Sequence, residues 1–168
     1  MATIIFDLDG TVIDTSHRYR DLPCGKIDLD FWFANSTPDM IAQDRLLPLA
    51  NAMRTMFAAG HTIIVCTARD FSPLNGVDLD AVYRQFLDDN GLQYHALLHR
   101  NMAGEDHASL GDGDLKIRLL TDYAESEGFS SIKELGAIMF DDNLTVIEAL
   151  RDHVIMINAS RENERLAA

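Results

Sequence analysis

Cysteine is nearly missing from this chain. Only Cys24 and Cys66 occur in 168 residues, too few for a disulfide framework, and a reducing, cytoplasmic setting is the simplest expectation. No run of about 18 apolar residues is present, which excludes a typical transmembrane helix. The opening MATIIFDLDG has no basic segment before its apolar run and meets an acid at Asp7, so it does not read as a signal peptide. Positive charge is also scarce: 14 Lys and Arg stand against 27 Asp and Glu, a formal net charge of −13. Such a chain repels phosphate backbones at long range, which argues against strong general nucleic-acid binding but leaves room for one phosphate held locally through a metal. Solubility alone also accounts for the acidity. The remainder is an ordinary globular mixture, 47% hydrophobic and 24% charged. The length fits one domain with a small elaboration, and a chain of this size buries roughly 70% of its unfolded surface.

Short apolar runs alternate with helical patterns. Thr3-Ile4-Ile5-Phe6, Thr62 to Cys66, Tyr94 to Leu98, Ala137 to Phe140 and Val154 to Ile157 read as buried strands. Between them, Leu46–Ala59, Asp78–Asn90, Asp114–Glu127 and Asn143–Arg151 carry apolar residues at spacings of three and four; the first three are followed by the stop signals Gly60, Gly91 and Gly128. The alternation predicts an α/β, Rossmann-like three-layer sandwich around a five-stranded, mostly parallel sheet. Two segments fit poorly: a polar insert at 12–45 containing Trp32 and Phe33, and an acid- and glycine-rich loop at 99–113. Long loops of this kind are commonly functional or mobile. The tail from Asn158 to Ala168 reads as polar and partly frayed.

Open α/β sheets bind ligands at the carboxyl ends of their strands. There the first strand runs into Asp7-Leu8-Asp9-Gly10-Thr11, the second into Thr67-Ala68-Arg69 and the fourth into Asp141-Asp142-Asn143, while Lys116 lies in the first turn of the third helix. Strands about 4.8 Å apart can bring these residues together. Clustered carboxylates repel one another unless a cation neutralises them, and hard oxygen ligands suit Mg²⁺, which accepts substrate phosphate in its open positions. A hydroxyl, an ammonium and free backbone N–H groups then suit phosphoryl oxygens. The chemistry served by such a set is phosphoryl transfer, with one carboxylate as nucleophile and another as acid and base.

Phe6-Asp7-Leu8-Asp9-Gly10-Thr11 resembles the DxDGT signature of the haloacid dehalogenase-like (HAD) phosphatases. Thr67, Lys116 and Asp141-Asp142 resemble that superfamily's three further motifs, in order, over roughly residues 3–157. The resemblance implies a nucleophile at Asp7 that also touches Mg²⁺. It implies a general acid/base at Asp9 whose backbone carbonyl joins the metal shell, a phosphoryl ligand at Thr67 and a charge-damping phosphate ligand at Lys116. Asp141 is implied as a metal ligand, with Asp142 as a second ligand or an orienting group. An acid at position 9 points to a phosphatase rather than a dehalogenase. Asp14 is read as shaping the loop.

Only 48 residues, positions 68 to 115, separate the second strand from Lys116, so no large second cap fits. The chain reads as a single domain over 1–168 with a minimal cap, a flap at about 12–45. Thr67-Ala68-Arg69-Asp70, Tyr83 to Leu87, Leu97 to Arg100 and Gly113 to Lys116 are similar to the 3′-phosphatase domain of phage polynucleotide kinases. That resemblance implies Gly10, Thr11, Ala68, Arg69 and Arg100 on the substrate side and a nucleotide or nucleic-acid 3′-phosphate as substrate; for Arg69 and for Arg100 a surface salt bridge is the other reading. No GxxxxGK[ST] loop occurs, so a stand-alone phosphatase is expected. The −13 charge favours short substrates, and a 5′-mononucleotide or small-metabolite phosphatase is the alternative; a non-catalytic binding module is a third. Trp32 and Phe33 read either as base-stacking groups or as anchors of the flap. His17, Arg18 and Arg20 read either as entrance residues or as a solvated loop. His95, His99 and His107 are not spaced for a helical zinc site, and Cys66 reads as a buried strand residue.

Overall fold

The computed structural model describes residues 1–24, 27–104 and 109–168. Its main sheet is built from β1 (Thr3–Phe6), β4 (Thr62–Cys66), β5 (Ala96–Leu98), β6 (Ile138–Asp141) and β7 (Ile155–Asn158), in the order β5-β4-β1-β6-β7. Each pairing is parallel, with Ile5 opposite both Ile64 and Met139. The nearly continuous apolar runs are explained by burial on both faces. Alternate side chains of one strand serve different layers. Ile4 and Phe6 join a core with Leu49, Met53, Tyr83 and Phe86, from α3 (Pro48–Ala58) and α4 (Leu79–Asp89). Ile5 joins the opposite core with Leu115, Leu119 and Val146, from α5 (Asp112–Ser126) and α6 (Leu144–Leu150). The three layers expected from the sequence are therefore present.

Three segments differ from the sequence reading. The tail does not fray: residues Ala159–Ala167 form α7, capped by Asn158, whose side chain accepts from Arg161 N. Its buried Asn163 donates from Nδ2 to the Thr11 carbonyl at 2.9 Å and accepts from the Leu49 N–H at 2.8 Å. A polar side chain thus pins the tail to the loop after β1. The helix expected from Leu46 begins instead at Pro48, because Arg45–Leu46 form β3, an antiparallel partner of β2 (Ile13–Asp14). Proline suits the first helical turn, where no N–H donor is needed. Between β2 and β3 the insert holds a short 3₁₀ turn at Ser16–Arg18, then α1 (Leu29–Ala34) and α2 (Pro38–Ile41).

Candidate active site

The ends of β1, β4 and β6 converge because their registers are aligned. Asp7 N–H donates to the Phe140 carbonyl at 3.0 Å, and Thr67 N–H donates to the Leu98 carbonyl at 2.9 Å. Lys116 reaches this point from α5. The helix comes close to α6 at Gly113, where a Cβ would lie 2.8 Å from Ala149 Cβ. The buried Lys116 ammonium donates to Asp7 Oδ1 at 2.6 Å and to Asp141 Oδ2 at 2.7 Å. Asp141 Oδ1 accepts from Asn143 N–H at 3.0 Å, fixing its second oxygen. Gly10 has φ +71°, and a side chain there would collide with the Asp142 carboxylate, so only glycine lets Asp142 settle over the β1 loop.

Asp7, Asp141 and Asp142 each place one carboxylate oxygen within 4.8 Å of the others. Burial, and then Asp141 and Asp9, push the Asp7 carboxyl up to about 8 against the pull of Lys116. Burial and Asp141 push Asp142 up to about 6. Lys116 moves the other way from ordinary buried lysines: burial disfavours its charge, but Asp7 and Asp141 outweigh it and raise its pKa. Three crowded, oxygen-only donors with one ammonium between them carry excess negative charge. That donor set fits a hard divalent cation such as Mg²⁺.

The Asp9 carboxylate is not part of this group and faces the insert. Arg69 grips it through two bonds, Nε to Oδ2 at 2.8 Å and Nη2 to Oδ1 at 2.6 Å. Thr15 Oγ1 donates to Oδ1 at 3.0 Å. Burial opposes the charged form, but the Arg69 ion pair and hydrogen bonds prevail and hold Asp9 below the usual carboxylate range. Its side chain keeps 34% exposure, whereas Arg69 keeps 2%. Arg69 also lies 3.7 Å from Asp44 Oδ2. Asp44 takes a two-bond grip from Arg18, at 2.7 and 2.9 Å, both side chains being fully buried. The Arg18 guanidinium carbon stands 4.4 Å from the Trp32 ring centre, and that of Arg69 stands 4.4 Å from Tyr83. A row of alternating charge, Asp9–Arg69–Asp44–Arg18, buried from Arg69 inward, therefore ties the insert to the β1 loop.

The remaining residues singled out by sequence fall as follows. Thr67 is buried beside the centre, and its Oγ1 accepts from Arg69 N–H at 3.2 Å. The Thr11 side chain is buried, and among the described residues its Oγ1 has no hydrogen-bond partner. Arg100 spans its own loop, donating to Ala68 O, Leu110 O and Asp112 Oδ1 at 2.9, 3.0 and 2.8 Å. Arg18 is neither an entrance nor a solvated residue; it is fully buried. Asp14 accepts from Ser16 N–H and from Arg45, closing the turn after β2. His95 Nδ1 accepts from Ile63 N–H, and the His99 ring stacks on Phe71; His107 lies outside the described residues. Cys66 is buried, which pushes its thiol up to about 12. Sequence reasoning missed Thr15 and Asp44. Thr15 had a signal in its place six residues after Asp9, on the chain leaving the motif; Asp44 had none.

A model of the family "Bacteriophage T5 5′-deoxynucleotidase" matches residues 1–167. The chain belongs to that family. The 5′-deoxynucleotidase of Escherichia phage T5 is 42% identical over 72 residues, which cover 39% of this chain and 29% of the relative. The chain thus matches under a third of that relative's length. Among solved structures, a chain of the Pnkp1/Rnl/Hen1 RNA repair complex aligns with TM-score 0.63 at 19% identity, covering 94% of this chain and 42% of that one. A HAD-superfamily hydrolase of subfamily IA from Geobacter sulfurreducens PCA aligns with TM-score 0.61 at 13% identity, covering 99% of both. These likenesses show a HAD-like fold. Among the described residues no helix is long and apolar enough to cross a membrane.

Proposed function

We propose that this chain is a Mg²⁺-dependent phosphomonoesterase that hydrolyses 5′-deoxynucleoside monophosphates through a phosphoryl group carried on Asp7. The observation that carries the reading is the buried Lys116 ammonium bridging Asp7 and Asp141 at 2.6 and 2.7 Å, beside Asp142 and two residues from a gripped Asp9. Asp7, Asp141 and Asp142, with the Asp9 backbone carbonyl, would hold the metal. When bound, Mg²⁺ would neutralise the crowded carboxylates and draw off charge developing on the phosphoryl oxygens.

The chain's own groups divide the work. An Asp7 carboxylate oxygen attacks phosphorus while the bond to the ester oxygen breaks. Asp9 gives that oxygen a proton, taken up from the monoanionic ester because Arg69 keeps Asp9 acidic. Asp9, again a carboxylate, then removes a proton from the water that attacks phosphorus and releases Asp7, and passes it to the departing phosphate, which returns Asp9 to its charged form. Lys116, Thr67 and the backbone around Gly10, Thr11 and Ala68 bind the phosphoryl oxygens. Arg69 acts on Asp9, and Arg100 shapes the loop after β5. Residues 1–168 form one hydrolase domain, with the 12–45 insert as its cap.

The family match favours a 5′-phosphate over the 3′-phosphate of a nucleic-acid end. The test is a panel with Mg²⁺: 5′-deoxynucleoside monophosphates, a 3′-phosphorylated oligonucleotide and sugar phosphates. The 5′-nucleotides should be turned over best. Preference for the oligonucleotide would overturn the substrate, and no hydrolysis of any ester would overturn the enzyme.

A further inference from the structure

The sequence LDFWFA of α1 brings four large apolar side chains into six residues, yet no residue of this helix is buried. Leu29 is 60% exposed and Phe33 37%. A soluble chain has no folding reason to hold such a segment in order and leave it uncovered. The helix is nonetheless fixed. Asp28 caps it by accepting from Phe31 N–H at 3.0 Å, and Trp32 rests on the fully buried Arg18. Arg18 is locked in turn by Asp44. The half-buried indole is therefore held by a cation beneath it while keeping open surface.

Its position connects it to the chemistry. The Trp32 ring centre lies 5.9 Å from the guanidinium carbon of Arg69, the residue that grips Asp9. Through Arg69, the β1 loop that carries Asp9 and the insert that carries Trp32 are joined side by side. Resting on the nucleotide reading above, we propose that Trp32 is the platform on which the nucleobase of the substrate stacks, with the exposed apolar residues of α1 beside it. Every base has a π-face, so the platform selects for a nucleoside without choosing among bases, and the cation under the indole holds the ring in place. The insert then supplies specificity for nucleotides over base-less phosphates, while the sheet ends supply the chemistry.

Trp32 is the single tryptophan of the chain, so fluorescence excited at the red edge, where tyrosine does not absorb, reports on this residue alone. In Asp7→Asn with Mg²⁺, thymidine 5′-monophosphate should quench the signal saturably, and inorganic phosphate should not. In the otherwise native protein, kcat/KM for thymidine 5′-monophosphate is compared with that for deoxyribose 5-phosphate, which lacks only the base. Trp32→Leu keeps apolar bulk over Arg18 and should cut the preference for the nucleotide about tenfold, within the range for one base–aromatic stack; Trp32→Phe should retain most of it. An unchanged preference in Trp32→Leu, or unaltered fluorescence while equilibrium dialysis shows thymidine 5′-monophosphate bound, would overturn the platform alone. Turnover of deoxyribose 5-phosphate with no turnover of any nucleotide would overturn the nucleotide reading, and the platform with it.

Discussion

Replacing Asp7 by Asn should stop turnover and, without metal, make the fold more stable. The unfolded chain releases the Asp7 proton near 3.8, whereas burial and neighbouring acids hold it to about 8 in the folded protein. Between those values the folded state binds more protons than the unfolded state, so this group lowers stability as pH rises from about 4 to about 8. At pH 7 the cost is at most about 4 kcal/mol, at ~1.4 kcal/mol for each tenfold difference in proton affinity. Asparagine removes that cost and weakens the bond from Lys116, now 2.6 Å long, a loss of about 1.5–3 kcal/mol for a charge-assisted hydrogen bond. The remainder, about 1–3 kcal/mol, corresponds to a rise in Tm of roughly 2–10 °C for a domain of this size. Thermal melts in EDTA from pH 4 to 8 measure it directly. The Asp7→Asn protein should melt higher at pH 7, and the gap should close toward pH 4. A lower Tm for the variant at pH 7, or a gap independent of pH, would refute the electrostatic picture of the centre.

Three further outcomes are expected. Arg18→Met leaves the buried Asp44 carboxylate without its two-bond partner and should cost about 3–5 kcal/mol in urea denaturation, much of it recovered by adding Asp44→Leu. Arg69→Gln removes the cation that depresses Asp9, so whichever limb of the pH–rate profile reports Asp9 should move to higher pH; a limb that stays in place would separate Arg69 from Asp9 function. Asn163→Ala leaves the Leu49 N–H and the Thr11 carbonyl unpaired and should cost about 2–4 kcal/mol by chemical denaturation.

The strands were legible because each is a run of apolar residues buried on both sides, and the motif residues follow from where those runs stop. Asp7, Thr67 and Asp141 sit at the ends of β1, β4 and β6 through backbone pairing that the pattern already implies. The insert was not legible in the same way. β2 and β3 have two residues each, too few to show a period of two. Arg18 and Asp44 look like solvated charges in sequence, since their burial depends on finding each other across 26 positions. The Asp9–Arg69 grip spans 60 positions and has the same character. The last helix was missed because its inward face is made of Ala159 and Asn163 rather than large apolar residues; the Asn158 cap and the Glu162–Arg165 pair were its only local signs.

The central claim is that Asp7 takes the phosphoryl group. Acid quenching during turnover of thymidine 5′-monophosphate with Mg²⁺, followed by peptide mass spectrometry, tests it most directly. A phosphoryl adduct on the peptide carrying Asp7, accumulating further in Asp9→Asn and absent from Asp7→Asn, is expected. An adduct on another residue, or full turnover by Asp7→Asn, would contradict it.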